Sequence, residues 1–111
     1  MQINITARHY KASQKLKDFT LKKVSKLEKY FDGIIDCDVL LDYEKKVQIA
    51  DISLKVFGQK LQVIEKSEDV YKSIEFAVDK LERQLKKYKG KLRQHKNEKV
   101  TDLELNDLNE S

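Results

Sequence analysis

The side chains that most often carry catalysis are few in this chain and lie far apart. It contains one cysteine, Cys37, and two histidines, His9 and His95. No group of His, Cys and carboxylate residues has the spacing of a metal site. A nucleophilic Cys37 would need a neighbouring base and an orienting group, and the sequence suggests neither. We therefore expect Cys37 to be a small apolar core residue, and we predict a protein that is not an enzyme and has no metal, cofactor or small-molecule substrate.

Three aspartates in one short segment offer a second possible chemistry. Asp36, Asp38 and Asp42 lie on the same side of an alternating pattern, and paired carboxylates serve in general acid–base catalysis. The intervening residues are apolar, however, which is typical of a strand with one face in water. Carboxylates on such a face more often maintain solubility and prevent sheets from pairing at their edges. We therefore interpret the three aspartates as surface residues.

The strongest chemical signal is a run of positive charge between Lys80 and Asn97. The run contains one acid, Glu82, and eight basic residues, which are Lys80, Arg83, Lys86, Lys87, Lys89, Lys91, Arg93 and Lys96. A lysine-rich helix face is often simply solvated. Here, however, the acids needed for i,i+4 pairs are nearly missing, so the charges repel one another unless a partner supplies anions. The run therefore predicts an anionic partner.

Charge is also segregated along the whole chain. Residues 1–31 contain eight bases and two acids, and residues 80–97 contain eight bases and one acid. Residues 32–79 contain six bases and eleven acids, and residues 98–111 contain one base and five acids. Two basic helices on a small sheet domain are the electrostatic footprint of nucleic-acid binding. Because few aromatic residues lie among the lysines, backbone recognition of structured RNA is favoured over stacking on single strands.

The first elements that position these charges follow from the apolar pattern. Alternation over Gln2–Thr6 predicts a half-buried strand, and Ser13 is the expected N-cap of the helix that follows. We expect Asp32-Gly33 to end this helix, with the glycine in a left-handed conformation. The apolar positions of the helix are Leu16, Phe19, Val24, Leu27 and Phe31.

The segments after Gly33 predict three further strands and a long helix. The strands are expected at Ile34–Tyr43, around Ala50–Val56 and around Leu61–Val63, with a hairpin at Gly58-Gln59. Either Ser67 or Asp69 is expected to cap the last helix, which extends to Lys96. Its apolar stripe consists of Val70, Ile74, Ala77, Val78, Leu81, Leu85, Tyr88 and Leu92.

The element order is therefore β-α-β-β-β-α, an α+β fold of two layers. We predict a mostly antiparallel four-stranded sheet with both helices on its apolar face and the aspartates on the other, within one domain at residues 1–96. Residues 97–111 are acidic and poor in apolar residues, so we expect a disordered tail. No segment resembles a signal peptide or a membrane span, and a single cysteine fits a reducing compartment. We therefore predict a cytoplasmic protein with no membrane partner.

Four separated segments resemble one known family. The longest is D-V-Y-x-x-I-x-x-x-x-D-K-L-x-R-Q-L-x-K-x-K at residues 69–89, followed by KLRQHK at residues 91–96. The others are MQINIT at residues 1–6, KLEKYFD at residues 26–32 and L-K-V-F-G at residues 54–58. In this order, the segments resemble the bacterial ribosome hibernation-promoting factor and ribosome-associated inhibitor family over residues 1–96.

The resemblance implies both a fold and a function. The fold is expected to be similar to double-stranded RNA-binding domains. The function is expected to be non-enzymatic inhibition of translation in stationary phase or stress, by occupation of the mRNA and tRNA channel of the small ribosomal subunit. The implied partners are the small subunit and its rRNA, and we expect a monomer off the ribosome. The implied RNA-binding residues are Lys23, Lys26, Lys80, Arg83, Lys86, Lys87, Lys91 and Arg93.

Two questions stay open at the level of sequence. Long family members continue into a dimerisation domain, so the chain is either a short form or the N-terminal part of a long form. It accordingly either promotes ribosome dimers or holds single ribosomes inactive. The alternative to ribosome binding is a protein-interaction module that contacts a basic partner through the acidic sheet face or the acidic tail.

Overall fold

Strands and helices follow one another along the chain in the predicted order, β-α-β-β-β-α. The computed structural model describes the backbone of residues 1–96 and the side chains of residues 1–91. The elements are β1 (Gln2–Ala7), α1 (Gln14–Ser25), β2 (Asp36–Glu44), β3 (Val47–Val56), β4 (Gln59–Ser67) and α2 (Val70–Lys96). The tail expected at residues 97–111 lies outside the described residues.

The four strands form one sheet in the order β1-β2-β3-β4. The β2–β3 and β3–β4 pairs are antiparallel, whereas β1 and β2 are parallel. The parallel pair follows from the chain path, because α1 crosses over the sheet and returns the chain to the end at which β1 began. The prediction of a mostly antiparallel sheet with two helices is confirmed.

The register of the strands separates an apolar face from a solvent face. On β2, Cys37, Val39 and Leu41 are buried, and they pair with Leu54, Ile52 and Ala50 of β3, which are also buried. The residues between them lie on the opposite face, where Asp36, Asp38 and Asp42 were expected. Because side chains alternate strictly along a strand, one register places the whole apolar set under the helices.

Helix α2 supplies much of the core opposite the sheet. Ile74, Ala77, Leu81 and Leu85 are fully buried, at the three- and four-residue spacing of one helix face. Of the two caps considered from the sequence, Asp69 caps the helix. Its Oδ1 accepts a hydrogen bond from the backbone N–H of Tyr71 at 2.8 Å.

The end of the first helix differs from the prediction. Ser13 caps α1 as expected, because its hydroxyl accepts a hydrogen bond from the N–H of Leu16 at 3.1 Å. The α-helix, however, ends at Ser25 and tightens into a 3₁₀ turn over Lys26–Lys29. Gly33 does not adopt a left-handed conformation, so that expectation was wrong. A Cβ there would lie 2.6 Å from the Phe31 ring, which gives the glycine a role in close packing instead.

Cys37 lies entirely within the core. Burial, together with the negative charge of neighbouring Asp38, raises the pKa of its thiol to about 12. The side chain is therefore a neutral apolar group at physiological pH, as the sequence predicted. Within residues 1–91, no three His, Cys, Asp or Glu side chains lie close enough together to hold a metal ion. None of the helices described here is both long and apolar enough to span a membrane.

Asp42 has a structural role that the alternation pattern did not reveal. Its Oδ1 lies 2.8 Å from Nδ1 of His9 and 2.8 Å from the backbone N of Tyr43. The backbone of His9 has φ 70°, a left-handed conformation that is uncommon outside glycine. Hydrogen bonds from His9 and Tyr43, together with the nearby charge of Arg8, lower the pKa of the Asp42 carboxyl. Asp42 therefore fastens the β1–α1 connection to β2.

Candidate nucleic-acid interface

The two helices lie side by side on the sheet and enclose a groove. Phe19 of α1 packs edge-to-face on Tyr71 of α2, with ring centroids 4.8 Å apart. Residues of both helices and of the 3₁₀ turn also line a groove of about 330 Å³. The residues that line this interhelical groove are Lys23, Lys26, Leu27, Tyr30, Glu75, Phe76, Val78, Asp79 and Glu82.

Two of the expected RNA-binding residues, Lys23 and Lys26, lie on the α1 side of the interhelical groove. Lys23 is partly buried and its Nζ lies 3.2 Å from a carboxylate oxygen of Glu75. The same Nζ lies 5.6 Å from the centroid of the Phe19 ring, within the range of a cation–π interaction. Lys26 is exposed and has no ion pair with any residue whose side chain is described. Lys23 is therefore held in place, whereas Lys26 is available.

On α2, Lys80 and Lys86 each contact an acid. Lys80 forms an ion pair with Glu65 of β4, on the side of α2 away from α1. Lys86 forms an i,i+4 pair with Glu82 at 3.3 Å, and its Nζ lies 5.1 Å from the centroid of the Tyr30 ring. Because Tyr30 follows the 3₁₀ turn, Lys86 connects the basic run of α2 with the α1 side of the groove.

Three further cations form a strip along the outside of α2. Arg83, Lys87 and Lys91 follow one another at intervals of four residues, so they lie on neighbouring turns of one helix face. All three are exposed, and none forms an ion pair within the described part of the chain. We call these residues the outer cation strip. Arg93 also belongs to α2, but its side chain lies outside the described residues.

The helix side also carries acids. Glu75, Asp79 and Glu82 face Lys23 and Lys26 across the interhelical groove. The prediction of two basic helices opposite the aspartates of the sheet was therefore too simple. The reason is helical geometry, because residues at i, i+4 and i+7 share one stripe. That spacing is visible in the sequence, but counting charges in consecutive blocks hides it.

The paired lysines can still exchange partners. Ion pairs between exposed groups contribute only about 0–1 kcal/mol to stability, and the lysines of the two α2 pairs are exposed, although Glu65 and Glu82 are partly buried. A phosphate oxygen that approaches Lys80 or Lys86 can therefore replace the carboxylate at small cost. The outer cation strip and Lys26 need no such exchange. The geometry thus favours an anionic backbone that first contacts the outer cation strip.

The fold and this surface define a small α+β domain with a cationic helix side. A protein-family model described as "Sigma 54 modulation protein / S30EA ribosomal protein" matches residues 3–93, and the chain belongs to this family.

Relatives with known names agree with this assignment. The chain is 42% identical over 95 residues to the ribosome hibernation promoting factor of Klebsiella oxytoca. The alignment covers 86% of this chain and all of that protein. The chain is 40% identical, with the same coverage, to the ribosome hibernation promoting factor of Escherichia coli strain K12. The resemblance stated from the four sequence segments is thereby confirmed.

Solved structures agree on the fold. A ribosomal subunit interface protein from Coxiella burnetii superimposes with a TM-score of 0.77 at 30% identity, covering 81% of this chain and 99% of that one. The N-terminal domain of Protein Y from Thermus thermophilus has a TM-score of 0.74 at 31% identity, covering 79% of this chain and 99% of that one. Both comparisons confirm the predicted fold class.

Proposed function

We propose that this protein is a ribosome-binding hibernation factor that contacts rRNA through the helix side of its domain. The observation that carries the proposal is the outer cation strip, Arg83, Lys87 and Lys91, in a family whose named relatives are ribosome hibernation promoting factors. Phosphates are the natural counterions of such a strip, because each neutralised phosphate releases condensed cations into solution.

The mode of binding we propose is backbone recognition. Lys26 and the outer cation strip bind phosphates directly, Lys80 and Lys86 exchange their carboxylate partners for phosphates, and Lys23 stays paired with Glu75. The acids of the interhelical groove repel phosphates, so the RNA backbone follows the outer surface of α2 and does not enter the groove. Backbone contacts of this kind fix the register of a protein on folded RNA without reading its sequence.

The finer function we propose is occupation of the mRNA and tRNA channel of the small subunit. A domain bound there excludes mRNA and initiator tRNA by volume alone, so no catalytic group is required. The proposal further includes action in the cytoplasm, as a monomer off the ribosome, during stationary phase or stress. It is supported by the family membership and by the charge of the helix side.

The test is sedimentation with purified ribosomal subunits at increasing salt. We expect the protein to migrate with small subunits at low salt, to migrate less with large subunits, and to be released as salt rises. A second arm measures whether the bound protein prevents initiator tRNA from joining the small subunit. Migration with neither subunit at low salt would refute ribosome binding, and undiminished tRNA binding on saturated subunits would refute channel occupation.

A second candidate function is supported by the solvent face of the sheet. Ile64 is 51% exposed there, in the same cross-strand row as Leu40 and Asp51. Asp38 accepts a hydrogen bond from Asn4 on the same face. An apolar centre with carboxylates around it fits a basic, amphipathic segment of a protein partner. A pull-down after nuclease treatment distinguishes the two functions, because a protein partner stays bound once RNA has been removed.

A further inference from the structure

The tip of the β3–β4 hairpin presents a phenylalanine to solvent. Val56 pairs with Gln59, so Phe57 and Gly58 alone form the loop. Phe57 is 84% exposed, whereas the other large exposed apolar residues among residues 1–91 range from 37% to 51%. The turn requires the glycine, which has φ 82°, but a turn of this kind has no need of an aromatic residue before it.

The hairpin tip is held rigidly. The backbone carbonyl of Phe57 accepts a hydrogen bond from the hydroxyl of Tyr88 at 2.6 Å. Tyr88 belongs to α2 and is itself buried, with its ring edge-to-face on Phe31 at a centroid distance of 5.3 Å. The ring of Phe57 therefore lies in solvent, while the backbone of Phe57 is hydrogen-bonded to a core residue. A ring presented in this way loses little freedom when it binds a partner.

Four lysines belong to the segments that meet at this tip. Lys55 and Lys60 pair across the hairpin just before the loop, and Lys87 and Lys91 lie on either side of Tyr88 along α2. All four lysines are exposed, and none forms an ion pair with another described side chain. A groove of about 550 Å³ begins at Gly58 and is lined by Asp36, Asp38, Ser53, Lys55, Val56, Gln59 and Lys60.

We propose that Phe57 is a stacking platform for an unpaired nucleobase of RNA, with the surrounding lysines binding the flanking phosphates. This inference rests on the proposed function, because it takes RNA as the partner. An aromatic face beside cations matches a nucleotide, which has a flat base and a charged backbone. Single exposed apolar residues are common, but this one combines near-complete exposure, a rigid backbone and four lysines. An apolar pocket on a protein partner fits less well, because closing it over the tip would desolvate those lysines.

The chain contains no tryptophan, which makes fluorescence a direct test. In a Phe57→Trp variant the only indole lies at the hairpin tip. When purified small ribosomal subunits are added, we expect quenching of its emission, as for an indole stacked on a base. Val47→Trp, at the opposite end of β3 from the hairpin tip, is the control and should be unaffected. A blue shift without quenching at position 57 would indicate a protein pocket and overturn the proposal.

Affinity supplies a second readout. Phe57→Leu keeps an apolar side chain but removes the ring, so we expect binding about 5- to 150-fold weaker, from the usual contribution of one stacked base. The dependence of log K on log salt should keep its slope, because no charge is lost. Lys60→Gln should instead reduce that slope by ~0.7–0.9. Thermal melts confirm that the variants are folded.

The outcomes separate this inference from the function on which it rests. If wild type binds small subunits and Phe57→Leu binds equally well, the stacking platform is refuted while ribosome binding stands. If wild type does not bind at all, the proposed function is refuted and the stacking platform with it.

Discussion

Lys87 offers the sharpest test of which surface binds RNA. It is exposed in the middle of the outer cation strip and has no ion pair within the described residues, so Lys87→Gln removes one positive charge without leaving an acid unpaired. If Lys87 neutralises one rRNA phosphate, the slope of log K against log salt should become shallower by ~0.7–0.9. At 0.1 M salt this corresponds to binding about 5- to 8-fold weaker, relative to a 1 M reference state.

The matched control is Lys66→Gln. Lys66 is also an exposed lysine, but it pairs with Ile49 across the solvent face of the sheet, away from the helices. Both variants change the net charge equally, so a long-range effect of charge would alter both. Fluorescence anisotropy of labelled protein with purified small subunits, repeated from 50 mM to 400 mM salt, provides the slopes. Equal slopes for Lys87→Gln and wild type, or equal changes in both variants, would refute the assignment of the binding surface.

The double variant Arg83→Gln/Lys87→Gln extends this measurement. Because the two residues lie one helical turn apart, each can neutralise a separate phosphate. We expect the slope to become shallower by ~1.4–1.8, twice the effect of one contact. A double variant no weaker than Lys87→Gln would show that the strip binds only one phosphate.

Three further predictions concern the fold. Cys37 should resist alkylation at pH 8 in the native protein and react once urea unfolds it, because burial raises the pKa of its thiol to about 12; rapid reaction of the native thiol would contradict this. Gly90→Ala should raise the melting temperature by about 2–8 °C, since glycine in a helix interior costs about 0.5–1 kcal/mol and an added Cβ there meets no atom within 4 Å. Asp42 should make stability fall as pH drops below 4, because its folded-state pKa lies below the ordinary value of 3.8 and its contribution is present only above that range. Urea unfolding at pH 3 and pH 6 provides the test. The free energy of unfolding should fall less between pH 6 and pH 3 in Asp42→Asn than in wild type.

The elements were predictable because their signals are local. The alternating apolar residues of β2 and the apolar residues three and four apart in α2 each mark the buried face of their own element. Both faces pack into the same core. The cap at Ser13 is equally local, since its hydroxyl bonds an N–H only three residues ahead. Such features need no knowledge of distant parts of the chain.

The partners of the lysines were not predictable in the same way. Lys80 contacts Glu65 of β4, and Lys23 contacts Glu75 of α2, and both pairs join separate elements. No acid stands three or four residues from Lys80 in the sequence, yet Glu65 lies beside it in space. The role of Gly33 was also not predictable, because its close packing depends on the position of the Phe31 ring in the folded protein.

The charge of the two helices was predictable, but the surroundings of each lysine were not. Counting charges identified both helices as basic, but treated all their lysines as equivalent. The structure separates Lys86, which contacts both Glu82 and Tyr30, from Lys87, which contacts no acid among the described residues. Adjacent residues on a helix point about 100° apart, so neighbours in sequence have different surroundings.

The position of α2 at the end of the domain has a consequence for synthesis. Ile74, Leu81 and Leu85 cover the apolar face of the sheet, and the bond from Tyr88 to Phe57 closes the hairpin tip across 31 residues. While the strands emerge from the ribosome, only α1 and the turn after it can cover that face. A nascent chain that stalls before Val70 thus exposes the part of the apolar sheet that α2 would cover to chaperones and proteases. The domain therefore completes its folding only after nearly all of it has been translated.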